Sequence, residues 1–502
     1  MYTLIGGIVI KTLPYDETNP SSIELYSQKL IGKTFSDVLN ENESNIEALY
    51  ETPENYGQNL ENKARKGGLG QLIEECFFHY KCNNDSKPDF DKAGVELKVS
   101  PYKINKNKSI SAKERLILTM IDYCKVVNES FEDSHLWYKS KLILLIYYLY
   151  SKEIENRLDY PIHYAKLFTP PKEDIEIIKK DYETIINKIK AGKAHELSEG
   201  DTLYLGAATK SATGANRRKQ PFSDIEAKPR AFAFKTSYMT YVLNNYISPN
   251  ITTYEPIIKN IDELKNTSFE DYILSKINQY IGKTDQELCK LFDREYNNNK
   301  AQWSDLSYRM LGVKSNRAEE FIKANIVVRA IRLEKDNKII ESSPLPTFKF
   351  LDLVNEAWED SSLYNYLDQT KFLFVLFKKQ DDKYVLKGSQ LWHIPYKDLN
   401  EEVYAGWNNI RSIIIAGVKF TPKTDKNGKI SYLNNLPKKD ANRVIHIRPH
   451  APKSAYIFSD GTILGNPSRN ANELPDGQWM TKQSFWLNND YVISQLDEHF
   501  FK

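Results

Sequence analysis

An ordered series of apolar segments occurs twice along the chain, on either side of a stretch rich in Pro, Asn and Thr at residues 247–267. In each copy a helix-like segment leads to a strand, an apolar run and two further strands. The first copy has these segments at residues 69–80, 94–99, 142–146, 204–210 and 230–235, and the second has them at residues 306–313, 325–330, 372–376, 445–450 and 482–487. Because order and spacing agree, we interpret the two halves as a diverged duplication.

The duplication predicts an α/β protein of two tandem domains, each with a mixed sheet flanked by helices. A chain of 502 residues is too long for one ordinary core, which supports this division. We place the first domain at residues 1–246, a linker at residues 247–267 and the second domain at residues 268–502. The copies differ residue by residue, so two unrelated α/β domains remain the alternative.

Composition excludes several classes of protein. Sixty-nine basic residues oppose 67 acidic ones, so a nucleic-acid footprint must be local rather than global. Cys76, Cys82, Cys124 and Cys289 form no CxxC pair and no zinc-spaced cluster, which predicts reduced thiols in the cytoplasm. We expect neither secretion nor a membrane partner. The N-terminus lacks a basic leader, and the apolar run at residues 142–150 is too short to span a bilayer.

Two carboxylates and a lysine lie around one predicted strand at residues 94–99. Apolar residues alternate there with Glu96 and Lys98, so at a period of two the acid and the lysine point from the same face. Asp89 precedes the strand, with six residues between it and Glu96. A bare spacing of this kind usually marks a solvated strand face, so its context must decide.

The chemistry of phosphodiester hydrolysis gives this set of side chains a use. Two carboxylates converging from a turn and a strand can hold Mg²⁺, with the Leu97 carbonyl as a further ligand. A lysine beside the ion can position the attacking water or stabilise developing negative charge. We therefore expect Asp89, Glu96 and Lys98 to form a catalytic centre.

Glu74 is a candidate supporting acid on the preceding helix. It borders the apolar stripe of residues 69–80, so its side chain can reach inward as a second-metal ligand or as a carboxylate that tunes the site. The alternative is a solvated glutamate on the flank of the helix, and its neighbour Glu75 competes for the same role.

Residues 85–98 resemble the MutH-like endonuclease family, whose two-domain members are type II restriction enzymes that cut at GATC. Residues 70–74 resemble the first acidic motif of that family, and residues 134–139 resemble a later motif that ends in a functional lysine. The resemblance covers residues 55–245 well. It implies the PD-(D/E)xK nuclease fold in each of two MutH-like domains.

The resemblance also implies roles for the candidate residues. Asp89 and Glu96 are then the metal ligands, Lys98 is the catalytic lysine, Glu74 is the extra acid, and Lys139 is a lysine near the cleaved phosphate. Without the resemblance, Lys139 would be interpreted as an exposed lysine on a strand edge.

A basic stretch follows, in which seven basic residues oppose Asp224 and Glu226 between residues 210 and 235. Residues 213–221 are small, polar and basic, which predicts a loop suited to phosphate contact and groove entry. Arg, Lys, Asn and Gln are also the side chains that read base edges. The expected DNA contacts are Lys210, Asn216, Arg217, Arg218, Lys219, Arg230 and Lys235. A solvated basic loop is the alternative.

The resemblance places the family's base-contacting lysine near Lys210, although the local match is loose. Residues 229–232 match the next motif well. In MutH a tyrosine follows this motif and senses adenine methylation, whereas this chain has Ala233. The substitution predicts cleavage regardless of adenine methylation at GATC.

The second copy has Val327, Val328 and Arg329 at the strand equivalent to the catalytic one, and only Glu320 near the equivalent of Asp89. Because valine cannot hold a metal, we expect this copy to be catalytically inactive. It keeps polar and basic residues where the first copy has its DNA contacts, namely Arg448, His450, Lys453 and Arg469. We hypothesise an effector domain that binds a second GATC site; a stability or oligomerisation domain is the alternative.

Together these features predict a type II restriction endonuclease that cuts duplex DNA before the G of GATC and leaves 5′ overhangs. Mg²⁺ is the expected cofactor, and Mn²⁺ is expected to substitute. With one active site per chain, double-strand cleavage requires a DNA-induced dimer or two successive nicks. A cognate DNA methyltransferase is the expected partner. The alternatives are a MutH-type nicking enzyme of mismatch repair and a sequence-specific DNA-binding protein without catalysis.

Overall fold

A computed structural model of the chain describes residues 2–5, 8–11, 13–41, 68–80, 87–210, 216–248, 253–297, 299–341, 343–424, 426, 428 and 430–501. The chain forms two compact units. The first comprises Met1–Tyr254, Asn260–Asp262 and Glu319–Asn325, and the second comprises Glu255–Lys259, Glu263–Ala318 and Ile326–Lys502.

The α-helices of the described residues are α1 (Pro20–Ser27), α2 (Phe35–Asn40), α3 (Gly68–Leu72), α4 (Tyr123–Val126), α5 (His135–Ser140), α6 (Lys172–Lys190), α7 (Thr236–Val242), α8 (Phe269–Asn278), α9 (Asp285–Leu291), α10 (Lys300–Met310), α11 (Glu319–Ala324), α12 (Phe350–Asn355), α13 (Ser362–Gln369), α14 (Tyr396–Asp398), α15 (Tyr404–Ala416), α16 (Pro467–Asn470) and α17 (Asn489–Ser494). π-Helical segments at Ile73–Phe77 and Leu243–Ile247 continue α3 and α7, and a third at Leu399–Val403 joins α14 to α15. Helix α11 belongs to the first unit.

The strands of the first unit are β1 (Tyr2–Ile5), β2 (Ile8–Lys11), β3 (Glu96–Ile104), β4 (Ile110–Ala112), β5 (Leu116–Met120), β6 (Ile143–Leu149), β7 (Ile162–Phe168), β8 (Leu205–Thr209), β9 (Arg218–Gln220), β10 (Ser223–Ala227) and β11 (Arg230–Phe234). A mixed sheet has the order β4-β3-β6-β7, with β3 and β6 parallel. An antiparallel sheet has the order β5-β11-β8, and β1-β2 and β9-β10 are hairpins.

The strands of the second unit are β12 (Ile326–Leu333), β13 (Ser343–Phe348), β14 (Lys371–Gln380), β15 (Lys383–Trp392), β16 (Phe420–Thr424), β17 (Ile430–Asn434), β18 (Ile445–Pro449), β19 (Tyr456–Ile457), β20 (Ile463–Leu464), β21 (Ala471–Glu473), β22 (Trp479–Thr481) and β23 (Gln483–Leu487). Its sheets have the orders β12-β14-β15, β13-β23-β18, β16-β17 and β20-β19-β22-β21.

The two units repeat one topology. In the first, β3 runs parallel to β6, and β6 pairs antiparallel with β7; in the second, β12 runs parallel to β14, and β14 pairs antiparallel with β15. The antiparallel sheets β5-β11-β8 and β13-β23-β18 also correspond in order and direction. The predicted α/β fold with two tandem copies is confirmed.

The apolar run at residues 142–150 forms β6, whose residues from Ile143 to Tyr147 are fully buried. A central strand of a mixed sheet is covered on both faces, so its sequence reads as a continuous apolar run. Helix α6 covers the other sheet with a buried, mainly isoleucine stripe that recurs every three or four residues: Ile178, Tyr182, Ile185 and Ile189.

The segment predicted as a linker is packed where the structure describes it. Ile257 and Ile258 are buried, and the Lys314 backbone N–H donates a hydrogen bond to the Glu255 carboxylate at 2.7 Å. Residues 249–252 lie outside the described residues. The boundaries at residues 246 and 268 stay a prediction, whereas the first compact unit extends to Tyr254 and takes up α11.

Within the described part of the chain, no helix is both long enough and apolar enough to cross a membrane. Among the described cysteines, Cys76, Cys124 and Cys289 form no disulfide, and Cys82 lies outside the described residues.

Candidate active site

A closed turn returns Asp89 to the start of β3. Phe90 and Val95 form an isolated antiparallel bridge, with backbone N···O distances of 2.9 and 3.2 Å. Gly94 closes the turn with a φ of +67°, a conformation that residues with a side chain rarely adopt. The Asp89 carboxylate then accepts a hydrogen bond from the Leu97 backbone N–H at 2.8 Å. The spacing of the motif is therefore the length of a turn that brings one carboxylate back to the strand.

Glu96 is the central side chain of the site. It occupies the first position of β3 and is 2% exposed. Lys98, on the same face of the strand, donates a hydrogen bond to Glu96 Oε1 at 2.8 Å. The other oxygen, Oε2, is buried and has no hydrogen-bond partner. A buried carboxylate oxygen in this state is costly unless positive charge lies close to it.

Helix α5 supplies a second lysine. Ser134 caps its N-terminus by accepting a hydrogen bond from the Trp137 backbone N–H at 3.0 Å, and Leu136 anchors it in the core. Lys139 lies one turn further on, and its Nζ is 3.4 Å from Glu96 Oε2. The interpretation of Lys139 as an exposed strand-edge lysine was therefore wrong. It is a helical residue with a side chain 14% exposed, directed to Glu96.

The Asp89 and Glu96 carboxylates interact electrostatically. Burial raises the pKa of Asp89, and the negative charge of Glu96 raises it further. The Leu97 backbone N–H, Lys98 and Lys139 oppose this shift by favouring the ionised form. Two acids and two ammonium groups thus share one partly buried cluster.

The donor set suits a divalent cation with oxygen ligands. Asp89 and Glu96 are carboxylates that repel each other, and Glu96 Oε2 is a buried oxygen that lacks a hydrogen-bond partner. Hard ions such as Mg²⁺ and Mn²⁺ prefer carboxylate oxygen ligands. A bound ion would reduce the repulsion between the two carboxylates and coordinate the oxygen that accepts no hydrogen bond. The residues present therefore fit the predicted metal.

Glu74 lies in the π-helical segment after α3 and is half-buried, whereas Glu75 is buried and accepts a hydrogen bond from the Gln71 side chain at 3.2 Å. Among the described residues, no group of three or more His, Cys, Asp or Glu side chains is arranged to hold a metal ion. Glu74 is thus not brought into one cluster with Asp89 and Glu96. Its supporting role stays a prediction.

Comparison with known proteins agrees with this geometry. The family model described as "DNA mismatch repair enzyme MutH" matches residues 78–181, which contain the turn, β3, α5 and β6. The type II restriction enzyme Sau3AI of Staphylococcus aureus is 37% identical over 464 residues, covering 87% of this chain and 93% of the relative. The chain belongs to the MutH-like type II restriction endonucleases. It is an enzyme, a site-specific deoxyribonuclease, and the alternative of a protein without catalysis was wrong.

Similarity to the mismatch-repair proteins is confined to part of this restriction endonuclease. MutH of Vibrio campbellii is 27% identical over 234 residues, covering 44% of this chain and 92% of the relative. MutH of Vibrio parahaemolyticus is 29% identical over 198 residues, covering 37% of this chain and 81% of the relative. A relative of about half the length thus corresponds to one copy, whereas Sau3AI matches across both.

The predicted DNA-contact residues of the restriction endonuclease divide into two groups. Five side chains are exposed at the end of β8 and along the following segment, namely Lys210, Asn216, Arg217, Arg218 and Lys219. Arg218 and Lys219 lie on strand β9 of a hairpin rather than on the predicted loop. Residues 211–215 of that loop lie outside the described residues.

Arg230 and Lys235 are interior residues. Arg230 is 3% exposed and donates to the Ala207 carbonyl, and Lys235 is 2% exposed and donates to the Thr202 carbonyl. Both hold the β8–β11 region together, so the structure does not place them on a DNA-facing surface.

The second unit lacks the catalytic pair. Strand β12 contains Val327, Val328 and Arg329, and Arg329 donates a hydrogen bond to the Pro344 carbonyl at 3.2 Å. The interpretation of Glu320 as the equivalent of Asp89 is not supported, because Glu320 lies on α11, which belongs to the first unit.

The effector candidates are all exposed in the second unit: Arg448, His450, Lys453 and Arg469. Arg448 stacks over the Trp486 ring at 4.6 Å, and the His450 ring lies 5.7 Å from the same ring. Arg448 lies in β18, the counterpart of β8, and His450 directly follows that strand, as Lys210 directly follows β8 in the first unit.

One anchoring residue was missed by the sequence prediction. Asp181, on α6, accepts hydrogen bonds from the backbone N–H groups of Leu203, Tyr204 and Leu205 at 2.7, 2.7 and 2.9 Å. Burial raises the pKa of Asp181 to about 6, opposed by Lys235 and these N–H groups. Its signal in the sequence is an acid within the isoleucine stripe of an amphipathic helix.

Proposed function

We propose that this restriction endonuclease hydrolyses duplex DNA at GATC before the G, in a reaction that requires Mg²⁺. The observation that carries the proposal is the cluster of Asp89, Lys98 and Lys139 around the buried Glu96 carboxylate, whose Oε2 accepts no hydrogen bond and lies 3.4 Å from the Lys139 ammonium. The GATC site follows from the resemblance of the sequence motifs to the MutH-like family. Leaving 5′ overhangs is the corresponding expectation for the ends.

The residues of the cluster have different proposed roles in hydrolysis. Asp89 and Glu96 would hold the ion, with the Leu97 carbonyl as a candidate third ligand. When bound, the ion supplies electrophilic stabilisation of the phosphate and of the attacking oxygen. Lys98 is placed to orient the attacking water and to balance charge that develops on the phosphate, because its ammonium lies beside Glu96. Lys139 adds a second positive group on the other side of that carboxylate.

Digestion of a plasmid with mapped GATC sites tests the function. We expect fragments only in Mg²⁺ or Mn²⁺, none after chelation with EDTA, and 5′ ends that begin with GATC. Sequencing of the ends measures the site and the overhang. Cleavage at other sequences, or unchanged cleavage after chelation, would contradict the proposal. Nicked circles without linear product would instead favour the MutH-type nicking alternative.

We propose that Lys210, Asn216, Arg217, Arg218 and Lys219 contact the DNA of the cleaved site. They are exposed, and Lys210 directly follows β8, whose sheet includes β5, a strand that packs against the helix carrying Lys139. Their charges suit phosphate contact, and their amide and guanidinium groups suit base edges.

Adenine methylation is expected to have no effect on cleavage. Ala233 is 1% exposed within β11, so it presents no ring to a methyl group in the major groove. Plasmid DNA with fully methylated adenine in GATC should be cut at the rate of unmethylated DNA. Time courses on the two plasmids, with a GATC-free plasmid as the blank, measure this directly. A block on the methylated plasmid alone would refute the prediction.

We propose that the second unit binds a further GATC copy and promotes cleavage in the first. Its exposed Arg448, His450, Lys453 and Arg469 support this role, because Arg448 lies in the strand that corresponds to β8 and His450 directly follows it.

A plasmid with two GATC sites should therefore be cut several times faster per site than a plasmid with one. Cleavage rates at equal site concentration, with and without an added GATC oligonucleotide, measure the effect. The oligonucleotide should restore the rate on the one-site plasmid, and an Arg448→Ala variant should lose this response. Equal rates on the two plasmids would instead favour the structural or oligomerisation role.

With one catalytic cluster among the described residues, double-strand cleavage needs two chains on the DNA or two nicks in turn. We propose a DNA-induced dimer, a cognate methyltransferase that protects the host's own sites, and action in the cytoplasm, where that DNA lies.

A further inference from the structure

The hairpin β9–β10 has an unusual tip. Its turn is formed by residues 220–223, with Pro221 in the second position and Phe222 in the third, where φ is +64°. Proline followed by a residue of positive φ is the pattern of a type II turn, and that third position normally takes glycine or asparagine. Here the bulky Phe222 adopts this left-handed conformation, and its side chain lies in solvent, since the residue is 73% exposed.

The tip is held rigidly despite its exposure. The Gln220 side chain accepts a hydrogen bond from the Ala194 backbone N–H at 2.8 Å and donates to the Ile225 carbonyl across the hairpin. The Phe222 carbonyl packs against Gly192, where an added Cβ would lie 2.5 Å from the oxygen. The turn is therefore fixed to the body of the first unit by its base and by its backbone.

The exposed ring on this strained turn calls for an explanation, because no described part of the fold buries it. Glycine would adopt this backbone conformation at a lower free-energy cost than phenylalanine. The presence of phenylalanine therefore indicates that its ring has a use other than stabilising the turn. Strain that persists at a rigid surface position is typical of sites that contact a ligand.

The neighbours of Phe222 identify that ligand by charge. Arg217 is exposed just before β9, and Arg218 and Lys219 are exposed on that strand. On the returning strand, Ile225, 57% exposed, lies between the exposed Asp224 and Glu226, so three cations stand against two acids beside the tip. Basic side chains beside an exposed apolar tip match a groove of duplex DNA, where the phosphates take the charges and the apolar group enters a base step. The core of an ordinary protein–protein interface is depleted of charged residues, so these cations fit such an interface poorly.

We propose that Phe222 is a wedge that enters the DNA next to the cleavage site, partly unstacks a base step there and fixes the register of the duplex on the enzyme. The inference rests on the proposed function and deepens it, because it names the contact that deforms the substrate. Phe222 is a positioning residue, since it acts on the substrate away from the reacting phosphate.

The test uses the full-length protein with Mg²⁺ and a Lys98→Ala change, so that bound duplex stays intact. GATC duplexes with 2-aminopurine placed singly at each position flanking the site report unstacking as a rise in fluorescence. Phe222→Gly is the decisive variant, because glycine suits the φ of +64° and should fold at least as well. Phe222→Leu keeps an apolar wedge. Leu25→Ala removes an exposed apolar side chain on α1, 69% exposed, and is the matched control.

The Lys98→Ala parent and the Leu25→Ala control should give a fluorescence rise at one flanking step. Phe222→Gly should lose that rise and bind about tenfold more weakly, as expected for loss of an aromatic contact with a base. Phe222→Leu should keep most of both effects. In the otherwise wild-type enzyme, Phe222→Gly should lower cleavage and relax its precision.

An unchanged fluorescence rise and affinity in Phe222→Gly would overturn the inference, and so would an equal loss in Leu25→Ala. If the wild-type enzyme neither binds nor cuts GATC duplex, the proposed function itself has failed. If the enzyme cuts GATC normally and Phe222→Gly behaves as its parent in both assays, the function stands and the wedge does not, which would leave the tip as a contact for a protein partner.

Discussion

Replacing Glu96 with glutamine should lower the rate of DNA cleavage by about a thousandfold or more, which is the scale expected when a ligand of a catalytic metal is removed. Glu96 lies at the centre of the site, 2.8 Å from Lys98 and 3.4 Å from Lys139, and its charge acts on Asp89. Glutamine keeps the shape but supplies neither the charge nor a second carboxylate oxygen. The variant should still bind GATC duplex, because the proposed contacts lie elsewhere.

Lys98→Ala should give a loss of similar size with the metal ligands intact. Lys103→Ala is the matched control, because Lys103 lies on the same strand but is exposed at its far end. Single-turnover cleavage in saturating Mg²⁺ and gel-shift binding separate chemistry from affinity. Cleavage by Glu96→Gln or Lys98→Ala at the rate of Lys103→Ala would remove this cluster as the active site.

The local part of this site was predictable because it is short-range. The turn from Asp89 to β3 spans six residues, and its glycine, its alternating strand and its two acids are adjacent in the sequence. Lys139 is different, since it reaches Glu96 only because α5 packs against the sheet. The residue types alone placed Lys139 on an exposed strand edge, and only the family resemblance predicted a role for it near the cleaved phosphate.

The basic stretch shows where counting charges fails. Arg230 and Lys235 were grouped with Arg217 and Lys219 because they are close in sequence, but they flank the small, apolar core of β11. Burial of a cation needs internal partners, and Thr202 and Asp181 supply them for Lys235 from distant elements. Partners of this kind cannot be inferred from spacing in one strand.

The tandem fold was predictable from the order of apolar segments, yet the path of the chain between units was not. Residues 319–325 fold into the first unit, after residues 263–318 have contributed to the second. No local pattern marks this excursion, because α11 has the composition of an ordinary amphipathic helix. Its attachment depends on a buried lysine whose partners lie about 150 residues earlier in the chain, as the separation of Lys323 and Asp174 shows.

Lys323 is the buried anchor of α11 in the first unit. It is 3% exposed, and its Nζ lies 2.7 Å from both Asp174 and Glu319. The ammonium also lies 4.5 Å from the centroid of the Tyr241 ring. Burial lowers the pKa of Lys323, but the attraction of the two carboxylates outweighs this and raises it. Burial also raises the pKa of Asp174, and the charge of Lys323 opposes that shift.

Lys323→Ala should therefore destabilise the first unit by about 3–5 kcal/mol, the range for removing one partner of a buried ion pair. The loss has this size because Asp174, 1% exposed, would be left in the interior without its cation, although the Tyr238 hydroxyl still donates to it at 3.0 Å. Amide hydrogen exchange in α6 and α7 measures the stability of this unit separately from that of the second.

Two further variants decide what the ion pair contributes. Lys180→Ala, in an exposed pair with Glu183 on the same α6, should cost less than about 1 kcal/mol. Adding Asp174→Asn to Lys323→Met should recover much of the stability, because Asp174→Asn removes the buried carboxylate that has lost its cation. A double variant as unstable as Lys323→Ala would mean that packing of α11, rather than charge, holds it to the first unit. Lys323→Ala with wild-type protection in α7 would show that α11 is dispensable, and a fragment ending at residue 267, which lacks this helix, should then fold as a complete domain.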